Sequence, residues 1–307
     1  MPRLPYSFRG FVIPVLTPFN EKTLDLELSV IPKYARYLAD RGVKGVLVNG
    51  TSGEGTSMSV VERKSVALAW AEAVKTTKLH LMVQVGGAPL PDVLELARHA
   101  EEIGADSMLC LPELYFKPTD NRGLVNYLKR VGESAPRTPL LYYHIPMFTN
   151  VNLHMGRFLE SIGDEVPSFV GIKFTSTNLE EGSQAVRADC GRFVVFLGSD
   201  QIISAGCAVG MDSFIPTSVN MFPELALKIL EASARGAGAE AREKQEELSK
   251  AVVAISKYGH WVETMKAAMP ILTPIQVGPP RMPLTKLRED KVESMKKDLK
   301  ALGLSVK

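Results

Sequence analysis

The chain has 307 residues, 45% of them hydrophobic and 23% charged. That much apolar side chain can bury a large core and argues against disorder. Thirty-six basic against thirty-four acidic residues leave a formal charge of +2 with no strong cluster of either sign, which speaks against a nucleic-acid-binding surface.

In chain order, short apolar or β-branched runs alternate with longer helical patterns. The candidate strands are FVIPVLT from Phe11, GVLVNG from Gly45, HLMVQVG from His80 and SMLCLP from Ser107. LLYYHI from Leu140, FVGIKF from Phe169, FVVFLG from Phe193 and SFIPTS from Ser213 complete the set. Between them, segments such as VVERKSVALAWAEAV and DVLELARHAEEIG carry apolar residues at helical spacing. Ser59 with Glu62 reads as a capping box, and Gly42 and Gly104 stand where helices should end. Eight strands, each followed by a helix, predict a (β/α)8 TIM barrel over residues 1–222. A doubly wound sheet stays open, because a strand count does not prove closure. Residues 223–307 predict a C-terminal helical extension of the same domain. Its helices lie in Pro223–Tyr258 with a break near Gly236 and Gly238, in HWVETMKAAM, and from Leu284 to Gly303, the last two separated by GPPRMP.

No apolar run reaches the ~20 residues needed to span a bilayer, and MPRLPYSFRG lacks the apolar stretch of a signal peptide. Cys110, Cys190 and Cys207 have no metal-like spacing and read as free thiols. The expectation is a cytoplasmic protein without membrane or nucleic-acid partners, metal or nucleotide cofactor.

In a barrel of this kind chemistry gathers at the C-terminal strand ends. The second strand runs into Gly50-Thr51-Ser52-Gly53-Glu54-Gly55, the fifth carries Tyr142-Tyr143-His144, and the sixth carries Lys173 followed by Thr175. The seventh ends Gly198-Ser199-Asp200-Gln201 and the eighth Thr217-Ser218. Lys173 sits in a strand that should be buried on both faces, where an ammonium is costly. A neutral amine there is the nucleophile that forms a Schiff base with a ketone; a buried stem with its head reaching out of the barrel mouth fits equally. Tyr143 reads either as a proton relay or as an aromatic at the core edge, while Tyr142 alternates onto the opposite face as packing. The GTSGEG turn, with two hydroxyls and a helix start just beyond, reads as a carboxylate site or as an ordinary strand-to-helix turn. Glu54 reads as a local cap or pair, and Tyr115-Phe116 as loop packing.

Together these residues resemble the N-acetylneuraminate lyase and dihydrodipicolinate synthase family, class I pyruvate aldolases on a (β/α)8 barrel. The resemblance runs through PVLTPF at Pro14, VNGTSGEG at Val48, YYHIP at Tyr142, GIKFTS at Gly171, GSDQ at Gly198 and GPPRMPL at Gly278. VNGTSGEG, YYHIP and GPPRMPL look most like the animal N-acetylneuraminate lyase branch. The resemblance implies that Lys173 forms the Schiff base and Tyr143 transfers the proton. It implies that Thr51 and Ser52 hold the substrate carboxylate, and that Thr175, Gly198, Asp200, Gln201 and Thr217 contact the rest of a sialic acid. It further implies reversible cleavage of N-acetylneuraminate to pyruvate and N-acetylmannosamine, or the same chemistry on another 2-keto-3-deoxy sugar acid or 4-hydroxy-2-oxo acid. No cofactor is implied, and a homotetramer is, with Tyr115 near the place where related enzymes pass an aromatic between subunits. The departures fall on specificity: Phe148 where the dihydrodipicolinate branch has arginine, Gln201 where sialic acid lyases have glutamate, Thr217 for serine, and Met147, Phe148 and Asn150 for the usual small residue, leucine and glycine. Two rivals are a pyridoxal phosphate enzyme using the same lysine and a non-catalytic relative of the barrel.

Overall fold

The structure, a computed structural model, describes residues 3–307. Eight parallel strands close into a barrel in sequence order, each paired with its neighbours and the eighth with the first. They are β1 (Gly10–Pro14), β2 (Gly45–Val48), β3 (His80–Gln84), β4 (Ser107–Cys110), β5 (Leu140–His144), β6 (Phe169–Phe174), β7 (Val194–Leu197) and β8 (Ser213–Phe214). Closure excludes the doubly wound alternative. Several strands are shorter than the apolar runs suggest. β8 itself is two residues long; the Ile215 amide still donates to the Leu197 carbonyl at 2.9 Å, and Pro216 next has no amide to donate.

Strand alternation divides the apolar side chains between two cores. Val12, Leu47, Met82, Leu109, Leu141, Tyr143 and Phe196 fill the barrel interior. Outward residues such as Val46, Met108, Tyr142 and Ile172 join the helices in a second, larger cluster. Leu4, Tyr6 and Phe8 of the N-terminal arm pack against the interior cluster, and Phe8 lies against His80 at the start of β3, so the arm plugs the foot of the barrel. The opposite, C-terminal rim is left open for chemistry.

The predicted punctuation is present. Ser59 and Glu62 form both bonds of a capping box on the helix Val60–Thr77, and Gly42 and Gly104 adopt positive φ at helix ends. After β8 the helices are Pro223–Ala234, Gly238–Ser256, Trp261–Leu272 and Glu289–Ala301. The last begins five residues later than the pattern suggests. Leu287 is buried and the Thr285 amide donates to Glu263 Oε1 at 2.8 Å, so tertiary contacts hold this segment out of the helix. Among the described residues no helix is long and apolar enough to cross a membrane.

Candidate active site

Side-chain direction on β5 and β6 sets the centre of the site. Tyr143 and Lys173 are register partners on adjacent strands and both point inward. Tyr142 points outward against Phe158, as alternation requires. Lys173 is 4% exposed, and its Nζ lies 4.0 Å from the centroid of the Tyr143 ring. Among the described residues no carboxylate comes within ion-pair distance of Lys173, and its amine donates no hydrogen bond there.

A second buried lysine shows the contrast. Lys266 Nζ meets Glu54 Oε1 at 2.7 Å and donates to the Pro279 carbonyl at 2.9 Å. Burial lowers this lysine to about 8, against the opposing pull of Glu54. Lys266 is thus a satisfied structural cation, whereas Lys173 opens on a cavity. The pair also corrects the reading of Glu54 as a local cap. Its carboxylate reaches across the molecule to Lys266, and its other oxygen accepts the Arg281 amide at 2.8 Å.

The cavity over Lys173 measures about 240 Å³. Thr51, Ser52, Tyr143, Lys173, Thr175, Gly198, Asp200, Gln201 and Thr217 all line it, so the structure brings together the nine residues that the resemblance pointed to as catalytic or substrate-binding. Thr51 Oγ1 and the Tyr143 hydroxyl are 3.0 Å apart. Ser52 Oγ and Thr217 Oγ1 are 2.7 Å apart. Thr175 Oγ1 is buried without a protein partner. Gly198 makes room for it: a Cβ there would lie 2.2 Å from Thr175 Oγ1 and 3.1 Å from Lys173 Cε.

The turn after β2 differs from the sequence expectation in one respect. No long helix starts directly beyond Gly55; one short turn intervenes, and the helix begins at Val60 under its own cap. The Glu54 and Gly55 amides close the turn onto Thr51 and Gly50. Among the described residues no protein acceptor takes the amides of Ser52 and Gly53. The hydroxyls of Thr51 and Ser52 line the cavity and therefore suit a carboxylate without help from a helix dipole.

Asp200 is held by its surroundings on several sides. Its Oδ1 accepts the Ser218 amide at 2.6 Å, and its carbonyl accepts Gln245 Nε2 at 3.1 Å. Burial pushes the Asp200 carboxyl above its ordinary value, while Ser218 and the nearby Lys173 pull it back. Gln245 lies on the helix Gly238–Ser256, so a C-terminal helix fixes the loop after β7. Gln201 is exposed on the rim.

Sequence reasoning missed Trp261 and His260. Trp261 lines the cavity and its Nε1–H donates to Thr217 Oγ1 at 3.3 Å, while His260 stacks on Phe148 at 6.1 Å. No local signal reveals these contacts, because they depend on how the C-terminal helices return over the rim. Asn150 adopts φ +55° as the cap of the short helix Pro146–Thr149. Asparagine tolerates that left-handed conformation better than other side-chain-bearing residues, which accounts for its replacing glycine. The Tyr115-Phe116 reading needs correction: the two rings meet edge to face at 4.9 Å, and both are 83% exposed, so they are not packed into the loop. No group of three or more metal-ligating side chains occurs among the described residues.

The dihydrodipicolinate synthetase family model matches residues 7–302. The chain is 34% identical over 300 residues to the N-acetylneuraminate lyase of Sus scrofa, covering 97% of this chain and 94% of that one. Among solved structures, the N-acetylneuraminate lyase of Proteus mirabilis superposes with TM-score 0.91 at 31% identity, over 97% of this chain and all of that one. The sialic acid aldolase of Aliivibrio salmonicida gives 0.92 at 31% identity, over 98% of each chain. The chain belongs to the dihydrodipicolinate synthetase family, and it is an aldolase-type carbon–carbon lyase.

Proposed function

We propose that the chain is a Schiff-base lyase that reversibly cleaves N-acetylneuraminate to pyruvate and N-acetyl-D-mannosamine. The observation that carries this reading is the unpaired Lys173 amine on the floor of the cavity beside Tyr143. Lys173 attacks the C2 ketone of the open-chain sugar acid, and loss of water leaves a protonated imine. Tyr143 accepts the C4 hydroxyl proton as the C3–C4 bond breaks, and that electron pair moves into the imine to give an enamine. Thr51, 3.0 Å from the phenol, is placed to pass the proton onward. Protonation of the enamine at C3 and hydrolysis of the imine then release pyruvate and restore Lys173. Thr51 and Ser52 hold the carboxylate. Thr175, Gly198, Asp200, Gln201 and Thr217 border the space for the sugar tail.

A second reading keeps this chemistry on another 2-keto-3-deoxy sugar acid. It is favoured by the tail side of the cavity, where Met147 and Phe148 present apolar surface and Gln201 carries no charge. The test is pyruvate release from a panel of 2-oxo sugar acids, followed with a coupled lactate dehydrogenase assay. Release chiefly from N-acetylneuraminate supports the first reading, and release chiefly from another member supports the second. No pyruvate from any member contradicts both.

We also propose a homotetramer, in which the exposed Tyr115-Phe116 pair meets a neighbouring subunit. The two rings are 83% exposed and contiguous, and subunit contact would remove that apolar surface from water. Sedimentation velocity should give a four-chain species, and an active monomer at assay concentration contradicts the proposal.

A further inference from the structure

The line Ser52–Thr217–Trp261 crosses from the turn after β2, over the end of β8, to the first residue of the helix Trp261–Leu272. Ser52 and Thr217 are 4% and 5% exposed, and their hydroxyl oxygens lie 2.7 Å apart. Either hydroxyl can be the donor in that contact. The indole N–H of Trp261 can only donate, and it donates to Thr217 Oγ1 at 3.3 Å.

A hydroxyl that accepts one hydrogen bond becomes a stronger donor in the next. With Trp261 filling one lone pair of Thr217, the head-to-tail arrangement runs from indole to Thr217 to Ser52. Each hydroxyl then accepts once and donates once, and the Ser52 proton is left for the cavity. The reverse arrangement makes Thr217 accept twice and uses the Ser52 proton internally, so that the free proton is that of Thr217 and Ser52 has none for a bound anion. An anion beside Ser52 therefore selects the first arrangement.

We propose that Trp261 is a positioning residue that polarises Thr217 and so orients the Ser52 hydroxyl as a donor to the substrate carboxylate. This rests on the reading of the site as a pyruvate-imine centre whose carboxylate end lies at Thr51 and Ser52. It gives the C-terminal helical region a part in recognising the charged end of the substrate, in addition to covering the barrel.

The test measures half-saturation of imine trapping by cyanoborohydride with pyruvate and with its uncharged analogue methyl pyruvate. Trp261→Phe keeps an aromatic ring and removes the donor. It should raise half-saturation for pyruvate about three- to ten-fold, the range expected for one lost hydrogen bond, and leave methyl pyruvate unchanged. Thr217→Val breaks the same line at its middle and keeps the inference testable if the tryptophan variant folds poorly. Adding Trp261→Phe to Thr217→Val should then have no further effect, because the two act in series. Equal shifts for acid and ester in either variant, or additive effects in the double variant, overturn the relay while the imine centre stands. A wild-type protein that forms no pyruvate adduct at all overturns the imine reading, and the relay with it.

Discussion

Gln201 and Lys173 occupy opposite depths of one cavity, and their exposure separates what each can control. Lys173 is on the floor and Gln201 on the rim. A change at Gln201 should act on the sugar tail and spare imine formation. Gln201→Glu is therefore expected to alter the ratio of kcat/KM between sugar acids by about ten- to a hundred-fold, the worth of a hydrogen bond to a charged group. Pyruvate trapping on the same variant should match wild type. A proportional fall of all substrates together with trapping would instead place Gln201 at the imine centre. At this scale the sequence was informative because strand ends can be read directly. All nine residues offered as catalytic or substrate-binding line one cavity. Trp261 was not legible, since a hydrogen bond from residue 261 to residue 217 depends on tertiary folding and not on spacing. Glu54 was misread for the same reason: its partner Lys266 is more than two hundred residues away.

Among the elements, the helix Trp261–Leu272 carries both Trp261 and Lys266, so it ties the C-terminal region to the rim in two places. The second tie continues through Arg281, whose guanidinium donates to the Leu24 carbonyl at 2.7 Å and pairs with Glu62 at 2.6 Å. Gly278 lets this segment pass the β1 loop. It has φ +63°, and a Cβ there would lie 2.0 Å from the Phe19 carbonyl oxygen. Lys266→Met should destabilise the protein by roughly 3–5 kcal/mol, because it leaves the buried Glu54 carboxylate without its cation. Chemical denaturation of Lys266→Met and of the double variant with Glu54→Gln checks this. The double variant should recover part of the loss, and equal stability of wild type and Lys266→Met would show that the pair is not structural. Motifs such as FVGIKF and the Ser59–Glu62 box gave strand and helix positions closely. The late start of Glu289–Ala301 was hidden, because helical propensity from Leu284 onward loses to the contacts of Leu287 and Thr285.

For the whole molecule, the barrel's two cores each enclose or adjoin a histidine kept from water. His80 sits at the foot against Tyr6 and Phe8, and His144 stacks on Phe174 outside β5 at 5.2 Å. Burial lowers both to about 4. The unfolded chain takes up these protons near pH 6.5 and the folded one resists until about 4, so stability present at neutral pH is lost as pH falls through that window. Each histidine should contribute on the order of 2–3 kcal/mol to the loss. Denaturation midpoints between pH 7 and 4 should fall more steeply for wild type than for His144→Phe. Parallel curves would show that His144 takes up its proton without cost to the fold. Barrel closure itself was legible only as an expectation, since pairing of β8 with β1 joins residues some two hundred positions apart.

Whether Lys173 is the nucleophile is tested most directly by trapping. Protein incubated with pyruvate and cyanoborohydride, then digested and mapped by mass spectrometry, should carry a reduced three-carbon adduct on Lys173. Lys173→Ala should carry none and lose cleavage while remaining folded, and Tyr143→Phe should still form the adduct but lose most bond cleavage. An adduct on Lys266 or another lysine, or turnover without any adduct, would contradict the account.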